Sequence, residues 1–443
     1  MRGLNLRRPV WVLHVLIVGL ALHNLVMSQL YRVGVRGNAL TAVAAWKDVL
    51  VVGALVVVVW QRRGVRLDAA ADWLALAFGA IVLVYAVIPQ SVLGGGATPK
   101  GVLYGVRHDE LPVVAYFLGS GLGLTREELA KLCRTVLVTA AGVAVYGLLD
   151  VFFVPLSWWR HSAGWFRDQL GLRYFGLSGL PENFVYNQGG GVIFRRLTSS
   201  FLSPLATGYM LVTAMFFLPI RRRGWAPVLA LLLFAALLYT HTRAALAAFV
   251  LGLLILAALR RAVFPLALAL AVGVLAFGFV KVYAHVAPRA HFTATELHQQ
   301  EQHAHQYPQV SHDATSANEA STSEHLSSFR AGLRTAIHHP WGFGIGNSGV
   351  TAERTHVKVE AGESTYTEVA VETGLLGGLV FAAWMVAVFV GVRRVPWFAA
   401  AFAAMAFVAL QTDMIGIPWL GVVLFALAGA HLQRKRNFSA TFV

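Results

Sequence analysis

The stretch Arg243–Tyr283, RAALAAFVLGLLILAALRRAVFPLALALAVGVLAFGFVKVY, decides the fold. Two apolar runs, 244–259 and 262–285, flank the pair Arg260/Arg261. Each run approaches the length that crosses a bilayer as a helix. Arginine is retained on the cytoplasmic side, so the pair predicts a hairpin of spans turning inside, with Arg243 at a tight outer turn. The same alternation extends along the chain. Apolar runs predict helices near 10–27, 41–61, 69–88, 111–123, 133–155, 201–220, 225–240, 244–259, 262–285, 367–391, 395–413 and 417–432. Basic clusters at Arg7/Arg8, Arg62/Arg63/Arg66, Arg126/Lys131/Arg134, 221–223, Arg260/Arg261, Arg393/Arg394 and 434–436 fall in every second connection. All seven agree when both termini lie inside. The fold class expected is therefore an all-α polytopic integral membrane protein of about 12 transmembrane helices, one transmembrane domain over residues 1–443.

Composition agrees. Of 443 residues 57% are hydrophobic and 13% charged, where soluble chains carry about 25% charged residues. The first run is followed by SQLYRVG rather than a small-x-small cleavage site, which reads as a retained helix. The net charge of +15 sits in topology-setting clusters, so no nucleic-acid partner is expected. Cys133 is the only cysteine and cannot form an internal disulfide.

Two outer segments are long. Residues 156–200 hold Trp158, Trp159, Trp165 and Phe166, expected as an interfacial aromatic belt. Residues 286–366, between helices 9 and 10, form a large outer loop before the last three helices. Its first half is His-, Gln- and Ser-rich with few large apolar residues, and weak order is expected there. Its histidines fit no rigid metal spacing, GFGIGNSG has neither the strand nor the lysine of a nucleotide loop, and no Asp-x-Asp pair holds a metal on a nucleotide-sugar.

Other polar residues collect at the outer face: Lys47 and Asp48 in the second span, Arg107 before the fourth, Arg195/Arg196 before the sixth, Arg243, and Arg330/Arg334 in the large loop. Singly, they read as a structural ion pair or as interfacial side chains. Together they suit a phosphorylated lipid headgroup, because guanidinium forks match phosphate oxygens. Within RAGLRTAIHHPWGFGIGNSG (Arg330–Gly349), Leu326, Phe329, Leu333 and Ile337 mark a helix over 324–338. Arg330, Arg334 and His338 share a stripe on it, whereas His339 is turned ~100° away before Pro340 ends the helix. A neutral histidine beside arginines can take a hydroxyl proton while they hold phosphate charge. The competing reading is a surface amphipathic helix with a capping histidine.

These residues resemble the O-antigen ligase and polymerase family. Arg330, HHPWGFGIG (338–346) and ETGLLGG (372–378) follow its order, as do RRLTSSFLSPLATGYM (195–210) and YTHTRAALAAF (239–249), with Thr242 where the family has serine. One departure is Glu363-Ser364, where many relatives carry His-Asn. The resemblance implies a GT-C-like transferase in the bacterial inner membrane, its active site facing the periplasm and the large loop periplasmic. Undecaprenyl-diphosphate-linked O-antigen is then the donor and lipid A–core the acceptor, in an inverting reaction without cofactor or metal. For that reaction the helix phase makes His338 the candidate base, and Arg195 or Arg196, Arg243, Arg330 and Arg334 are the candidates to hold the diphosphate. Lys47, Asp48, Arg107, His339 and His356 are secondary candidates. O-antigen polymerase and protein O-oligosaccharyltransferase are the near alternatives. A lipid-linked oligosaccharide transporter is the alternative from another class.

Overall fold

The computed structural model describes residues 8–65, 67–174, 176–188, 191–218, 224–306 and 320–439. Arg7, Arg66, residues 221–223 and His312 lie outside the described residues. Among the described residues, seven helices are long and apolar enough to cross a membrane. They are α1 (Trp11–Arg32), α2 (Gly37–Arg62), α3 (Ala70–Val87), α5 (Arg126–Phe153), α8 (Arg243–Arg260), α9 (Val263–Val286) and α13 (Thr365–Val392). Shorter apolar helices are α6 (Pro204–Met215), α7 (Ala226–Tyr239), α14 (Pro396–Val408) and α15 (Leu420–Gln433). A further long helix, with more polar residues, is α4 (Pro99–Leu122).

Local chemistry sets several boundaries. Thr98 accepts a hydrogen bond from the Gly101 N–H and Pro99 opens α4, so this helix starts well before the expected 111. Arg107, His108, Asp109 and Glu110 thus lie within the helix, not before it. Thr125 and Glu128 form a capping box at α5, and Ser203 caps α6 ahead of Pro204. The main core joins spans from both ends of the chain, with Phe381, Trp384, Phe402, Trp419 and Phe425 all fully buried.

The two long segments expected outside depart from expectation in their structure. A three-stranded antiparallel sheet of β1 (Val185–Asn187), β2 (Val192–Arg195) and β3 (Arg289–His291) ties the first outer segment to the second. Trp159, Trp165 and Phe166 are buried in a second core with Phe184 and Tyr31, not spread as an interfacial belt. Their rings pack edge-on, Trp159 and Phe166 against Phe184 and Trp165 against Phe166, an arrangement aromatic pairs favour. Part of the His-rich stretch is helical, as α10 (Ala294–Gln306). Arg160 anchors it by donating to both oxygens of buried Glu296, at 3.0 and 2.6 Å. Residues 307–319, where weak order was expected, lie outside the described residues.

Two further helices complete the large outer segment, α11 (Ala320–His338) and α12 (Gly349–Thr355). The turn after α11 locks onto a break in α13. Gly374 there has φ 71° and ψ 174°, which interrupts the helical hydrogen-bond ladder. The Phe343 N–H donates to the Val371 carbonyl (2.8 Å), and the Gly344 N–H to that of Glu372 (3.0 Å). In return the Leu375 N–H donates to the Pro340 carbonyl (2.9 Å). The glycines of GFGIG and ETGLLGG therefore let two backbones approach, and the lock fixes the C-terminal end of α11.

Candidate functional site

Strand alternation sends Arg195 and Arg196 in opposite directions. Arg195 points inward and is 2% exposed. Its guanidinium donates to Asp150 Oδ2 (3.2 Å) and to the Val154 carbonyl (2.8 Å). Burial lowers its pKa, with Asp150 opposing the shift. The diphosphate-binding role expected of Arg195 does not fit this place: its charge is spent inside the protein. Arg196 instead reaches the turn between α7 and α8. Its Nε donates to the Thr240 carbonyl (3.0 Å), and Nη2 to the His241 carbonyl (3.3 Å) and Thr242 Oγ1 (3.2 Å). All three acceptors are uncharged.

Arg243 opens α8 at that same turn. His241, between Arg196 and Arg243 in sequence, is held at φ 48° and stacked 4.0 Å from the Tyr283 ring. Its pKa is held well below the usual histidine value by burial first, then by the charges of Arg196 and Arg243. The Arg196 guanidinium thus sits at the turn where Arg243 opens an 18-residue helix, a combination suited to anions.

Contacts continue from this turn toward the large outer segment. The Tyr209 hydroxyl, in the field of Arg196, lies 2.9 Å from Thr412 Oγ1. The Thr412 carbonyl accepts from Thr365 Oγ1 at 3.1 Å, at the start of α13 beside Glu363 and Ser364. Glu363 in turn faces α11: its Oε2 lies 2.8 Å from His325 Nδ1.

Helix α11 does not bury the apolar stripe expected of it: Leu326, Leu333 and Ile337 are exposed, and the small residues Gly332 and Ala336 make its inner face instead. Gly332 packs closely on Thr367, and Ala336 is buried. Arg330 and Arg334 lie on the exposed side, lining an open groove of about 280 Å³ with Ser323, Leu326, Ser327 and Ala331. His338 is exposed, with Nδ1 2.8 Å from the Arg334 carbonyl. That carbonyl only accepts, so in the neutral ring the hydrogen sits on Nδ1 and the lone pair on Nε2. His339 is half-buried, 2.9 Å from the Leu93 carbonyl and packed against Phe343 at 4.0 Å. The helix phase separates the two histidines as expected.

The other cations group elsewhere. Lys47 does not pair with Asp48: its Nζ is buried beside His23 Nε2 (3.1 Å) and donates to the Ala44 carbonyl (2.8 Å). Asp48 pairs with Arg107 at 2.8 Å. Arg354, which the sequence reading passed over, joins them from α12, lying over the Tyr104 ring and donating to the Leu170 carbonyl (2.9 Å). Burial lowers the Arg354 pKa; Tyr104 opposes this and Arg107 adds to it. His356 caps the end of α12, exposed, at φ 57°.

Sequence reasoning also missed a buried group of acids. His108 stands between Asp109 and Asp413, with Glu368 nearby. No motif flagged it, because its members come from three distant segments. Of the described residues, His108, Glu368 and Asp413 could hold a metal ion, with ligand atoms within 4.8 Å of one another.

Residues 228–382 match the family model described as O-antigen ligase. The match includes the α7–α8 turn, α11 with its locking turn, and the break in α13. No curated protein matches the chain.

Proposed function

We propose that this chain, whose family match supports membership of the O-antigen ligase superfamily, transfers O-antigen polysaccharide from undecaprenyl diphosphate to lipid A–core. The superfamily's ligases and polymerases share glycosyl transfer; ligation in the periplasm, by a twelve-span protein with both termini cytoplasmic, is the finer reading. The observation that carries it is the place of the Arg196 guanidinium at the turn where Arg243 opens α8. A diphosphate leaving group adds one negative charge on its departing oxygen to those its phosphates already carry, and fixed cations stabilise that charge without reorganising.

A sugar hydroxyl of the acceptor attacks the anomeric carbon of the donor. The bond from that carbon to the phosphate oxygen breaks, and its electron pair leaves with undecaprenyl diphosphate. The hydroxyl proton passes to His338 Nε2, the ring nitrogen that the Arg334 carbonyl leaves unprotonated. Arg330 and Arg334 add positive charge along the same helix face. Direct displacement inverts the anomeric carbon, and guanidiniums take the charge-stabilising role that a metal holds in nucleotide-sugar enzymes. A second base has its own support: Glu363, oriented by His325, stands beside the contacts leading to Arg196.

Purified protein given lipid-linked O-antigen with rough lipopolysaccharide, free glycan or a pilin-like protein tests the reading. Sugar gained by rough lipopolysaccharide is expected. Gain by glycan or protein alone would favour the polymerase or protein-transferase alternatives. Movement of donor across a bilayer without transfer to any acceptor would make the chain a transporter.

A further inference from the structure

The densest buried acidic group among the described residues lies where α4, α13 and the 409–417 turn meet, and the proposed transfer leaves it unused. His108 Nδ1 is 2.7 Å from Asp109 Oδ1, and Nε2 is 2.9 Å from Asp413 Oδ2. Glu368 is 4% exposed and Asp109 2%, yet Glu368 Oε1 and Asp109 Oδ2 have no hydrogen-bond partner among the described residues. A buried carboxylate oxygen left without a partner is costly, and few such groups persist in folded proteins.

The chain also leaves space in front of these groups. A Cβ at Gly416 would collide with Asp413 Oδ2 and approach His108 Nε2 to 2.9 Å. A Cβ at Gly349, which has φ +50°, would collide with the Glu368 carboxylate. Two glycines from separate segments thus open one cradle around one histidine and two carboxylates.

We propose that His108, Glu368 and Asp413 bind a divalent first-row cation of the Zn²⁺ or Mn²⁺ kind, which clamps α4, α13 and the 409–417 turn together. Asp109 is the positioning residue. A ligating imidazole commonly gives its second N–H to a carboxylate, which orients the ring and raises its basicity, and His108 is already held that way. One imidazole with two carboxylates favours these ions over Ca²⁺, which prefers oxygen alone. Binding displaces the proton shared by His108 Nε2 and Asp413 to solvent, and Glu368 Oε1 gains the partner it lacks. The ion's place is structural, so transfer needs no further metal added to the loaded protein.

The test is metal content by elemental analysis, and unfolding midpoint, of tag-free protein in detergent equilibrated with Zn²⁺ or Mn²⁺ and dialysed. The expected result is one ion per chain and a midpoint several degrees above that of protein stripped by chelator. Glu368→Gln and Asp413→Asn each lose that ion, and the difference from wild type separates it from any held by the loop histidines. Wild-type protein that retains neither metal and shows no midpoint shift would overturn the proposal, even if a variant failed to fold. So would retention of the ion by Glu368→Gln, or stabilisation by Mg²⁺ or Ca²⁺ alone.

Discussion

Replacing Gly374 by alanine tests whether the turn after α11 and the break in α13 act as one device. At φ 71° and ψ 174° the residue occupies a region essentially reserved for glycine, where a side chain costs about 1–3 kcal/mol. The added Cβ would stand 2.6 Å from the Pro340 carbonyl oxygen and 3.0 Å from the Trp341 carbonyl carbon. Relief requires the turn to withdraw, which breaks the bonds Phe343–Val371, Gly344–Glu372 and Leu375–Pro340. At about 1 kcal/mol each these add about 3 kcal/mol. The total is about 4–6 kcal/mol, above the usual cost of a point substitution. Unfolding in detergent, followed by tryptophan fluorescence, measures it against Gly142→Ala. An added Cβ at Gly142, inside α5, meets nothing within 4 Å, so alanine there should be neutral or stabilising by up to ~1 kcal/mol. Gly374→Ala should also quicken proteolysis within α11. A variant within about 0.5 kcal/mol of wild type would refute the lock, because that is the range of an uninvolved surface site.

Removing one side of the buried Arg195–Asp150 pair strands a charge, so Asp150→Asn should cost about 3–5 kcal/mol on unfolding. His338→Ala should leave stability unchanged and reduce transfer by roughly 10²–10⁴-fold, the contribution of a general base; Glu363→Gln assayed beside it shows whether that proton goes elsewhere. His339→Ala should show the opposite pattern, losing about 1–2 kcal/mol of stability with its bond to Leu93 and its ring contact. Folded His241 stays neutral far below the ordinary value, while the unfolded chain takes up that proton near 6.5, so the unfolded state binds more protons and stability falls as pH falls below 6.5. At 1.36 kcal/mol per unit, about 2 kcal/mol is lost by pH 5, and unfolding of His241→Asn across pH 5–7 should lack that component.

The membrane architecture was readable because its signals are local. An apolar run of span length and an arginine at its end each act over a few residues, and α8 and α9 appear where Arg260/Arg261 place them. Four-residue spacing also placed Arg330, Arg334 and His338 on one exposed face of α11, although the apolar residues expected to bury its other side, Leu326, Leu333 and Ile337, are exposed too. Pairings were not readable. Asp48 lies next to Lys47 in sequence but pairs with Arg107, 59 positions away. Arg195 and Arg196 look alike in the sequence, and only strand alternation with Asp150 on one side gives them opposite fates. The buried acids required α4, α13 and the 409–417 turn to meet, which no single stretch reports. Pro340 marked the end of α11, but nothing in HHPWGFGIG or ETGLLGG alone shows that their glycines are the means by which two backbones touch.

The central claim is that Arg196 and Arg243 hold the donor's diphosphate while a glycan is transferred. The most direct measurement is kcat/KM for lipid-linked donor, with wild type, Arg196→Ala, Arg243→Ala and the double variant compared at matched unfolding midpoints. Each single substitution should lower kcat/KM by roughly 10²–10³-fold, the usual cost of removing one electrostatic stabiliser. The double variant should lose less than the product of the two, as residues serving one anion do. A folded double variant that transfers glycan at the wild-type rate would contradict the account.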